Sequence, residues 1–304
     1  MWPSIALGLA TADQRAIWSE HSGSDLGVPH EGKTMSKSKV FLITGAASGI
    51  GAALAKRAAE AGNTVILADI NLAGATSVAQ GIGPKAEAVR LDICSSQQWD
   101  DVLEGVRTKF GRLDVLVNNA AIVHTGYARD LKMEQHEDTM MTNFFGPVRG
   151  MMAALPKFKA QGHGHLVTIC SMTAFLPFPG IASYAAAKHA LRAYHLALAL
   201  EERESPLKFT IVHPTSTETP MLDKEAEDDA MALSFAGTPV TAEFVADIVL
   251  EAIRKNTVEA FAPPERGKAV KKLGASPRSL WKMMERNAAI GAEKLRARRA
   301  AKKG

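Results

Sequence analysis

A serine, a tyrosine and a lysine with useful chemistry lie close together in the middle of the chain, at Ser171, Tyr184 and Lys188. In a helix, Tyr184 and Lys188 would share one face, which brings the lysine ammonium beside the phenol. A free phenol has a pKa of about 10, and a neighbouring cation favours its ionised form. The pair could therefore act as a general acid or base, with Ser171 holding a substrate oxygen. An ordinary surface pair on an alanine-rich helix is the alternative.

A glycine-rich turn supplies a second chemical signal. Gly45, Gly49 and Gly51 follow an apolar run of strand length and precede a helical pattern, the context typical of dinucleotide-binding proteins. Such glycines let backbone N–H groups and a helix N-terminus approach a pyrophosphate. Asp69, at the end of the second apolar run, can accept both ribose hydroxyls and would repel a 2′-phosphate. We therefore predict NAD as the cofactor; the alternative for Asp69 is a strand-end residue that caps the next turn.

Apolar runs of strand length alternate with helical patterns from residue 39 onward. Strands that are apolar throughout are typical of a parallel sheet covered by helices on both faces. We predict an α/β fold, a Rossmann-type doubly wound parallel sheet that forms a single domain over residues 35–264. A helix rich in Met and Phe is expected over residues 134–160. Residues 215–240, which contain the acidic run DKEAEDD, are expected to form a mobile cover over a site.

The two ends of the chain depart from this alternation. Residues 1–34 lack sustained periodicity and are predicted to be a disordered leader. Residues 265–304 are predicted to form a basic, helical C-terminal tail, with 12 Lys or Arg against two Glu from position 268 onward. A basic amphipathic helix could contact an anionic membrane peripherally, and a solvated terminus is the alternative. No aromatic interleaving or recognised motif supports a nucleic-acid partner.

Cysteine usage and hydropathy narrow the class of protein. Cys94 and Cys170 are too few for a disulfide framework or a cysteine-based metal site, and no metal is predicted. No apolar stretch approaches the roughly 20 residues that a transmembrane helix needs. With 46% hydrophobic residues, the chain can nevertheless bury a sizeable core. We predict a cytoplasmic protein.

In their order and spacing, these signals resemble those of the short-chain dehydrogenase/reductase family. The resemblance extends over roughly residues 38–262. It implies an oxidoreductase that transfers a hydride between a nicotinamide cofactor and a substrate carbon. The motifs that carry it are TGAASGIG at 44–51, Asp69, LDI at 91–93, NNAA at 118–121, Asn143, Ser171 and YAAAK at 184–188.

The resemblance implies roles for individual residues. Tyr184 would donate or accept the proton on the substrate oxygen, and Lys188 would lower the pKa of Tyr184 and bind the nicotinamide ribose. Ser171 would orient the substrate carbonyl, and Asn143 would hold a water that links Lys188 to solvent. Besides Tyr184 and Lys188, the expected cofactor-binding residues are Gly45, Ser48, Gly49, Ile50, Gly51, Asp69, Asp92, Ile93, Asn119, Ala120, Thr217 and Thr219.

Two positions depart from the family pattern after the sixth predicted strand. The family usually has a glycine and then an aliphatic residue where this chain has Thr215 and Thr217. A side chain at Thr215 affects the backbone expected to contact the nicotinamide carboxamide. The departures leave one alternative open, a dinucleotide-binding regulator or scaffold with little turnover. A second alternative, which concerns the role of Asp69, is an NADP(H)-dependent carbonyl reductase.

The remaining expectations concern substrate and assembly. Apolar residues in the loops near the site favour a bulky, apolar secondary alcohol or ketone, or a related aldehyde couple. In this family the helix after Tyr184 joins subunits, so a homodimer or homotetramer is expected; a helix buried within one chain is the alternative. The apolar loop residues are Met172, Phe175, Phe178, Met221 and Leu222.

Overall fold

The computed structural model describes residues 38–302, which are organised around a parallel sheet of seven strands. The predicted leader, residues 1–34, lies outside the described residues. Within the sheet the strand order is 3-2-1-4-5-6-9, and strands 7 and 8 form a separate short pair. In chain order the strands are β1 (Val40–Thr44), β2 (Thr64–Asp69), β3 (Ala86–Arg90), β4 (Val115–Asn118), β5 (Gly164–Ile169), β6 (Leu207–Pro214), β7 (Thr217–Glu218), β8 (Val240–Thr241) and β9 (Glu259–Ala262).

Helices cover both faces of this sheet, which confirms the predicted Rossmann-type, doubly wound parallel α/β fold. In chain order they are α1 (Gly49–Glu60), α2 (Leu72–Ile82), α3 (Ser96–Phe110), α4 (Met133–Met140), α5 (Gly146–Gln161), α6 (Ala182–Glu201), α7 (Pro220–Glu225), α8 (Ala242–Lys255), α9 (Arg266–Gly274) and α10 (Pro277–Ala301). Helices α1, α2 and α8 contribute to the core on one face, and α3, α5 and α6 contribute to the core on the other.

Strand β1 shows why the sequence forms a sheet buried on both sides. Phe41 and Ile43 belong to the core that contains α1 and α8, while Val40 and Leu42 belong to the opposite core. Successive side chains of a strand point to opposite faces. A strand covered on both faces therefore needs an apolar residue at every position, as the run VFLIT provides.

The order of the strands creates a crevice at the carboxyl ends of the central strands. Strands β1 and β4 are neighbours, and the chain runs outward from them in opposite directions. Ligands of doubly wound folds bind at the carboxyl ends of the strands beside such a reversal. Gly45 directly follows β1, Asn119 directly follows β4, and Ser171 comes two residues after β5. The fold therefore gathers the predicted site residues at one edge.

The helix predicted over residues 134–160 is interrupted. Residues Met141–Phe145 form a π-helical segment between α4 and α5. Pro147 has no N–H and its ring crowds the carbonyl four residues earlier, which is that of Asn143, so an α-helical hydrogen bond to that carbonyl cannot form. The chain is thus helical from Met133 to Gln161, close to the predicted range, and the π-helical segment within it was not predicted.

The C-terminal helices pack back on the domain. Leu295 of α10 is 1% exposed and lies in a cluster with Leu222, Met231 and Phe235. Leu280 also packs against the protein, so the apolar stripe behind the membrane prediction faces inward in part. Among the helices of residues 38–302, none has the length and apolar character needed to cross a membrane.

Candidate active site

A cavity of about 990 Å³ lies at the carboxyl edge of the sheet. It extends from the glycine turn after β1 to the start of α6, and its size is at the upper end of the range for small-molecule sites. Of the predicted catalytic and cofactor-binding residues, all line this cavity except Asn143 and Gly51. The structure thus brings together residues from separate parts of the chain.

Tyr184, Lys188 and Ser171 meet in the middle of this cavity. Tyr184 and Lys188 lie one turn apart on α6, and the Lys188 ammonium is 5.5 Å from the centre of the Tyr184 ring. Ser171 and Tyr184 both line this cavity. Lys188 Nζ donates to the carbonyl oxygen of Ile169 at 3.2 Å, which fixes α6 against the end of β5. The arrangement places a hydroxyl, a phenol and an ammonium around one point.

Burial controls the protonation of this group. It raises the pKa of the Tyr184 phenol above its usual value, and the nearby carboxylate of Glu225 raises it further. Burial also lowers the pKa of Lys188. Both shifts favour neutral forms, because charge is costly in a site shielded from water.

The Lys188 side chain fits a ligand that carries hydroxyl groups. An ammonium has three donors, and Lys188 is only 2% exposed. Within the part of the chain that the structure describes, its one hydrogen bond goes to the Ile169 carbonyl. Donors that face a cavity without protein acceptors suit the ribose of a dinucleotide.

Asn143 lies beside the cavity and does not line it. Its side-chain Oδ1 accepts from the backbone N–H of Ile122 at 2.8 Å, and its Nδ2 donates to the Ile122 carbonyl oxygen at 2.8 Å. Both side-chain groups already make one hydrogen bond each, and the main-chain carbonyl is a further acceptor for the predicted water. Pro147 keeps that carbonyl out of the α-helical ladder.

The glycine turn is built for close backbone packing. Gly45 has φ +65°, and a β-carbon on it would stand 2.7 Å from the α-carbon of Ala120. A β-carbon on Gly51 would stand 2.3 Å from the Gly45 carbonyl oxygen, so α1 packs tightly beneath the turn. Ser48 is the N-cap of α1, and its side chain makes no capping hydrogen bond. The N-terminus of α1 therefore faces the cavity, where it suits a pyrophosphate.

Asp69 ends β2 and lines the cavity. Its Oδ2 accepts from the backbone N–H of Ala47 and its Oδ1 from that of Asn71, both at 2.9 Å. Asp69 therefore holds the glycine turn that follows β1 and the turn that follows β2. Each carboxylate oxygen has a second lone pair, so these bonds leave acceptors for the hydroxyls of a ribose.

Asn119 connects the loop after β4 to the glycine turn. Its Nδ2 donates to the carbonyl oxygens of Thr44 and Gly45 at 2.9 and 3.1 Å. Ala120 follows it and donates its backbone N–H to the Thr44 hydroxyl at 3.1 Å. In the loop after β3, which also lines the cavity, Asp92 Oδ1 accepts from the Cys94 N–H at 2.9 Å. These bonds hold the loops that surround the adenine half of the predicted site.

Comparisons with known proteins agree with this geometry. A family model described as short chain dehydrogenase matches residues 39–230. The chain belongs to the short-chain dehydrogenase family. An uncharacterised oxidoreductase of Staphylococcus epidermidis is 32% identical over 187 residues, which are 62% of this chain and 81% of the relative.

Solved short-chain dehydrogenases share the fold. The enzyme from Burkholderia phymatum in complex with NAD superposes with a TM-score of 0.72 at 23% identity, covering 77% of this chain and 92% of the other. The 3-ketoacyl-(acyl-carrier-protein) reductase from Brucella melitensis complexed with NADH has a TM-score of 0.67 at 30% identity, covering 73% of this chain and 94% of the other.

This short-chain dehydrogenase accommodates a threonine where its family usually has a glycine. Thr215 Oγ1 accepts a hydrogen bond from Arg266 Nη1 at 2.8 Å, so the first residue of α9 holds the extra side chain. Thr217 Oγ1 donates to the Thr215 carbonyl at 2.9 Å, and Thr219 Oγ1 donates to the Thr217 carbonyl at 3.1 Å. The C-terminal segment and the turn's own hydroxyls stabilise the altered turn.

A buried polar network beneath Ser171 was missed by the sequence analysis. His213 is fully buried; one ring nitrogen lies 3.0 Å from the Ser171 carbonyl oxygen and the other 3.2 Å from Glu259 Oε1. Arg192 and Lys271 also pair with Glu259. Burial alone would lower the pKa of His213, but hydrogen bonds, including that to Glu259, raise it above the usual value. The network fixes the backbone that carries Ser171.

Glu225 and part of α10 also line the cavity and were not predicted to do so. Glu225 lies in the acidic run of the predicted mobile cover, for which no individual site residue was predicted from that run. One signal was available, because in a helix that begins at Pro220, Glu225 lies three residues after the buried Leu222 on the same face. The positions of Met283 and Asn287 at the cavity follow from the docking of α10, which no local pattern indicates.

Proposed function

We propose that the protein is an NAD(H)-dependent oxidoreductase that interconverts a secondary alcohol and a ketone, or a related aldehyde couple. The observation that carries the proposal is that Ser171, Tyr184 and the buried Lys188 line one cavity that reaches the glycine turn, with the Lys188 ammonium 5.5 Å from the centre of the Tyr184 ring. A bound nicotinamide would supply or take up the hydride. The protein's own residues handle the proton and the substrate oxygen.

Tyr184 and Ser171 act on the same substrate oxygen. In reduction, the Tyr184 phenol donates its proton to the oxygen as charge develops there, and the Ser171 hydroxyl hydrogen-bonds to it. In oxidation, the phenolate takes up the proton of the alcohol. The Lys188 ammonium beside the ring opposes the effect of burial, because a positive charge favours the phenolate.

Asp69 supports NAD(H) rather than NADP(H). Its carboxylate lines the cavity at the end of β2, where it would accept ribose hydroxyls and repel a 2′-phosphate. The reductase of Brucella melitensis, which is 30% identical, is complexed with NADH. Both observations favour the cofactor without a 2′-phosphate.

The walls of the cavity favour a substrate with an apolar body. Met172, Phe178, Met221 and Leu222 line it, which supports the bulky, apolar substrate expected from the sequence. Phe175 does not line the cavity; its ring packs against His213 and Phe261. The cover that contains Met221 and Leu222 therefore contributes much of the apolar surface.

Exposed apolar side chains support a homodimer or homotetramer. Leu200 of α6 is 67% exposed, and Met141, Phe145 and Met152, around and within α5, are 40–44% exposed. Such side chains would be covered if these helices joined subunits. Sedimentation equilibrium of the full chain tests the assembly, and a monomer at all concentrations contradicts it.

Turnover of alcohols with NAD⁺, followed at the nicotinamide absorbance, tests the enzymatic proposal. Tyr184→Phe should lower kcat/KM by at least about a hundredfold, the scale of general acid–base catalysis, while NADH binding persists. Tyr194→Phe is the matched control, because Tyr194 lies on the same helix and packs in the core away from the cavity. A Tyr184→Phe variant as active as wild type, or no turnover in a broad panel, contradicts the proposal.

A further inference from the structure

The carboxylates of the acidic cover divide into two groups. Glu218 and Asp223 pair with Arg298, Asp223 also pairs with Lys302, and Asp229 pairs with Arg299. These partners all belong to the end of α10 and its C-cap. The docking of the C-terminal helix therefore explains three carboxylates of the cover, those of Glu218, Asp223 and Asp229.

Glu225 is not one of these ion-paired carboxylates, and it is not an exposed residue either. It ends α7, is partly buried, and lines the same cavity as Tyr184 and Ser171. Among the ion pairs within residues 38–302, none includes Glu225. Its carboxylate lies close enough to Tyr184 that its charge raises the pKa of the phenol.

The cavity that Glu225 lines is also lined by Ser234 and by the hydrophobic side chains of Met221 and Leu222. The Ser234 side chain interacts with the carboxyl group of Glu225. Burying an acceptor of this kind is costly unless a further partner is present. Within residues 38–302 no side chain forms an ion pair with Glu225, so its carboxyl group is available to a ligand that enters the cavity.

The chemistry of Glu225 indicates which ligand group would bind it. Burial raises the pKa of Glu225 to about 7, and the interaction with Ser234 opposes only part of this rise. Near neutral pH the carboxyl group is therefore present in both protonation states. A hydroxyl can donate to the ionised form and accept from the protonated form, whereas a substrate carboxylate is repelled by the ionised form.

We propose that Glu225 and Ser234 form a polar subsite that binds a second hydroxyl group of the substrate, away from the reacting carbon. The substrate class is then a diol or hydroxyketone with an otherwise apolar body. This inference rests on the proposed function, because it places the reacting oxygen at Tyr184 and Ser171. The carboxylate is a specificity-determining group and takes no part in the hydride or proton transfer.

Matched pairs of alcohols test the subsite on the full chain with NAD⁺. Each pair shares one carbon skeleton and differs by one hydroxyl, for example 1-phenylethanol with 1-phenylethane-1,2-diol and cyclohexanol with cyclohexane-1,2-diol. The measured quantity is the ratio of kcat/KM for the dihydroxy compound to that for the monohydroxy compound. This ratio cancels any effect of Glu225 on the pKa of Tyr184, because both members of a pair experience it.

Wild type should prefer the dihydroxy member of at least one pair, and Glu225→Leu should reduce that preference by about tenfold or more, the scale of a hydrogen bond to a charged group. Glu225→Gln, which keeps the shape and one acceptor, should reduce it less. Glu227→Gln is the matched control, since Glu227 is exposed, stands two residues away and does not line the cavity. Its ratio should equal that of wild type.

Each contrary result is distinct. A wild-type ratio at or below one in every pair, or no turnover of any diol, overturns the subsite without requiring a variant that folds. An unchanged ratio in both Glu225 variants, with NADH binding and thermal unfolding like wild type, also overturns it. Turnover that survives Tyr184→Phe contradicts the proposed function instead, and the two failures can therefore be told apart.

Discussion

Gly291 of α10 packs directly on the backbone of Ala232 in the cover of the active site. A β-carbon on Gly291 would stand 2.2 Å from the Ala232 carbonyl oxygen. Side-chain contacts extend the same interface, since Lys294 Nζ donates to the Ala236 carbonyl at 3.0 Å and Arg299 Nε donates to the Ala226 carbonyl. The C-terminal helix is thus fitted to residues 226–236 at the level of the backbone.

Gly291→Ala should destabilise the protein by about 1–3 kcal/mol, because the backbone carbonyl of Ala232 must shift to admit a methyl group. Helix propensity alone predicts the opposite, because replacing glycine with alanine within a helix raises the free energy of unfolding by up to about 1 kcal/mol. Gly105→Ala in α3 is the control, because a β-carbon there has no neighbour within 4 Å. Gly105→Ala should raise the free energy of unfolding measured by chemical denaturation. An equal rise in both variants would show that α10 is not docked in this way.

Arg298 is predicted to maintain the shape of the substrate cavity. Its guanidinium donates to both carboxylate oxygens of Glu218 at 2.9 and 2.6 Å and to Asp223 at 2.8 Å, and its side chain is 20% exposed. Arg298→Met should raise KM for the alcohol by about three- to tenfold, because charged pairs of this kind contribute on the order of 1 kcal/mol. The affinity for NADH, measured by fluorescence, should be unchanged.

Arg296→Met provides the comparison for Arg298. Arg296 lies on the same helix, is exposed, and makes no ion pair within residues 38–302. Its removal should alter neither KM nor NADH affinity. Equal effects of the two variants would mean that loss of positive charge, and not the contact with the cover, causes the change.

The sequence was informative wherever chemistry and local structure coincide. Tyr184 and Lys188 could be placed on one helical face because four residues make about one turn, and the structure has them on α6. The turn at Gly45 was recognisable because its glycines stand between a strand and a helix. Family and fold followed from such patterns and are confirmed by the comparisons.

What the sequence did not indicate depends on contacts between distant residues. The docking of α10 joins Arg298 to Glu218, which are 80 residues apart, and the charges alone suggested a solvated or membrane-bound tail. His213 reaches Ser171 across 42 residues. The π-helical segment is different, since Pro147 stands four residues after Asn143 and was a usable local signal.

Asp69→Asn should weaken the discrimination against NADP⁺. The ratio of kcat/KM for NAD⁺ to that for NADP⁺ should fall by about tenfold or more, because the repulsion of a 2′-phosphate is lost while the remaining side-chain oxygen can still accept from the backbone N–H of Ala47 or of Asn71. Asp100→Asn, on the exposed face of α3, is the charge-matched control. Tighter binding of NADP⁺ than NAD⁺ by the wild-type protein would refute the role given to Asp69.

Glu225→Gln should shift the pH dependence of alcohol oxidation to lower pH. Oxidation needs the Tyr184 phenolate, and the negative charge of Glu225 raises the pKa of the phenol by favouring its protonated form. Removal of that charge therefore lowers the pKa of Tyr184, and the acidic limb of the kcat/KM profile should move to lower pH. Glu227→Gln should leave the profile in place, and a limb that moves upward in Glu225→Gln would contradict the assignment.

The same substitution should change how stability depends on pH. Burial raises the pKa of Glu225 in the folded protein to about 7, so the folded state binds this proton more tightly than the unfolded state does. The stabilisation that the proton provides is complete below the carboxyl's ordinary pKa and is lost as pH rises through about 7. Between pH 5 and pH 8, wild type should therefore lose on the order of 1–3 kcal/mol of unfolding free energy relative to Glu225→Gln, measured by urea denaturation. Parallel curves for the two proteins would show that Glu225 is ionised throughout this range, as an exposed glutamate is.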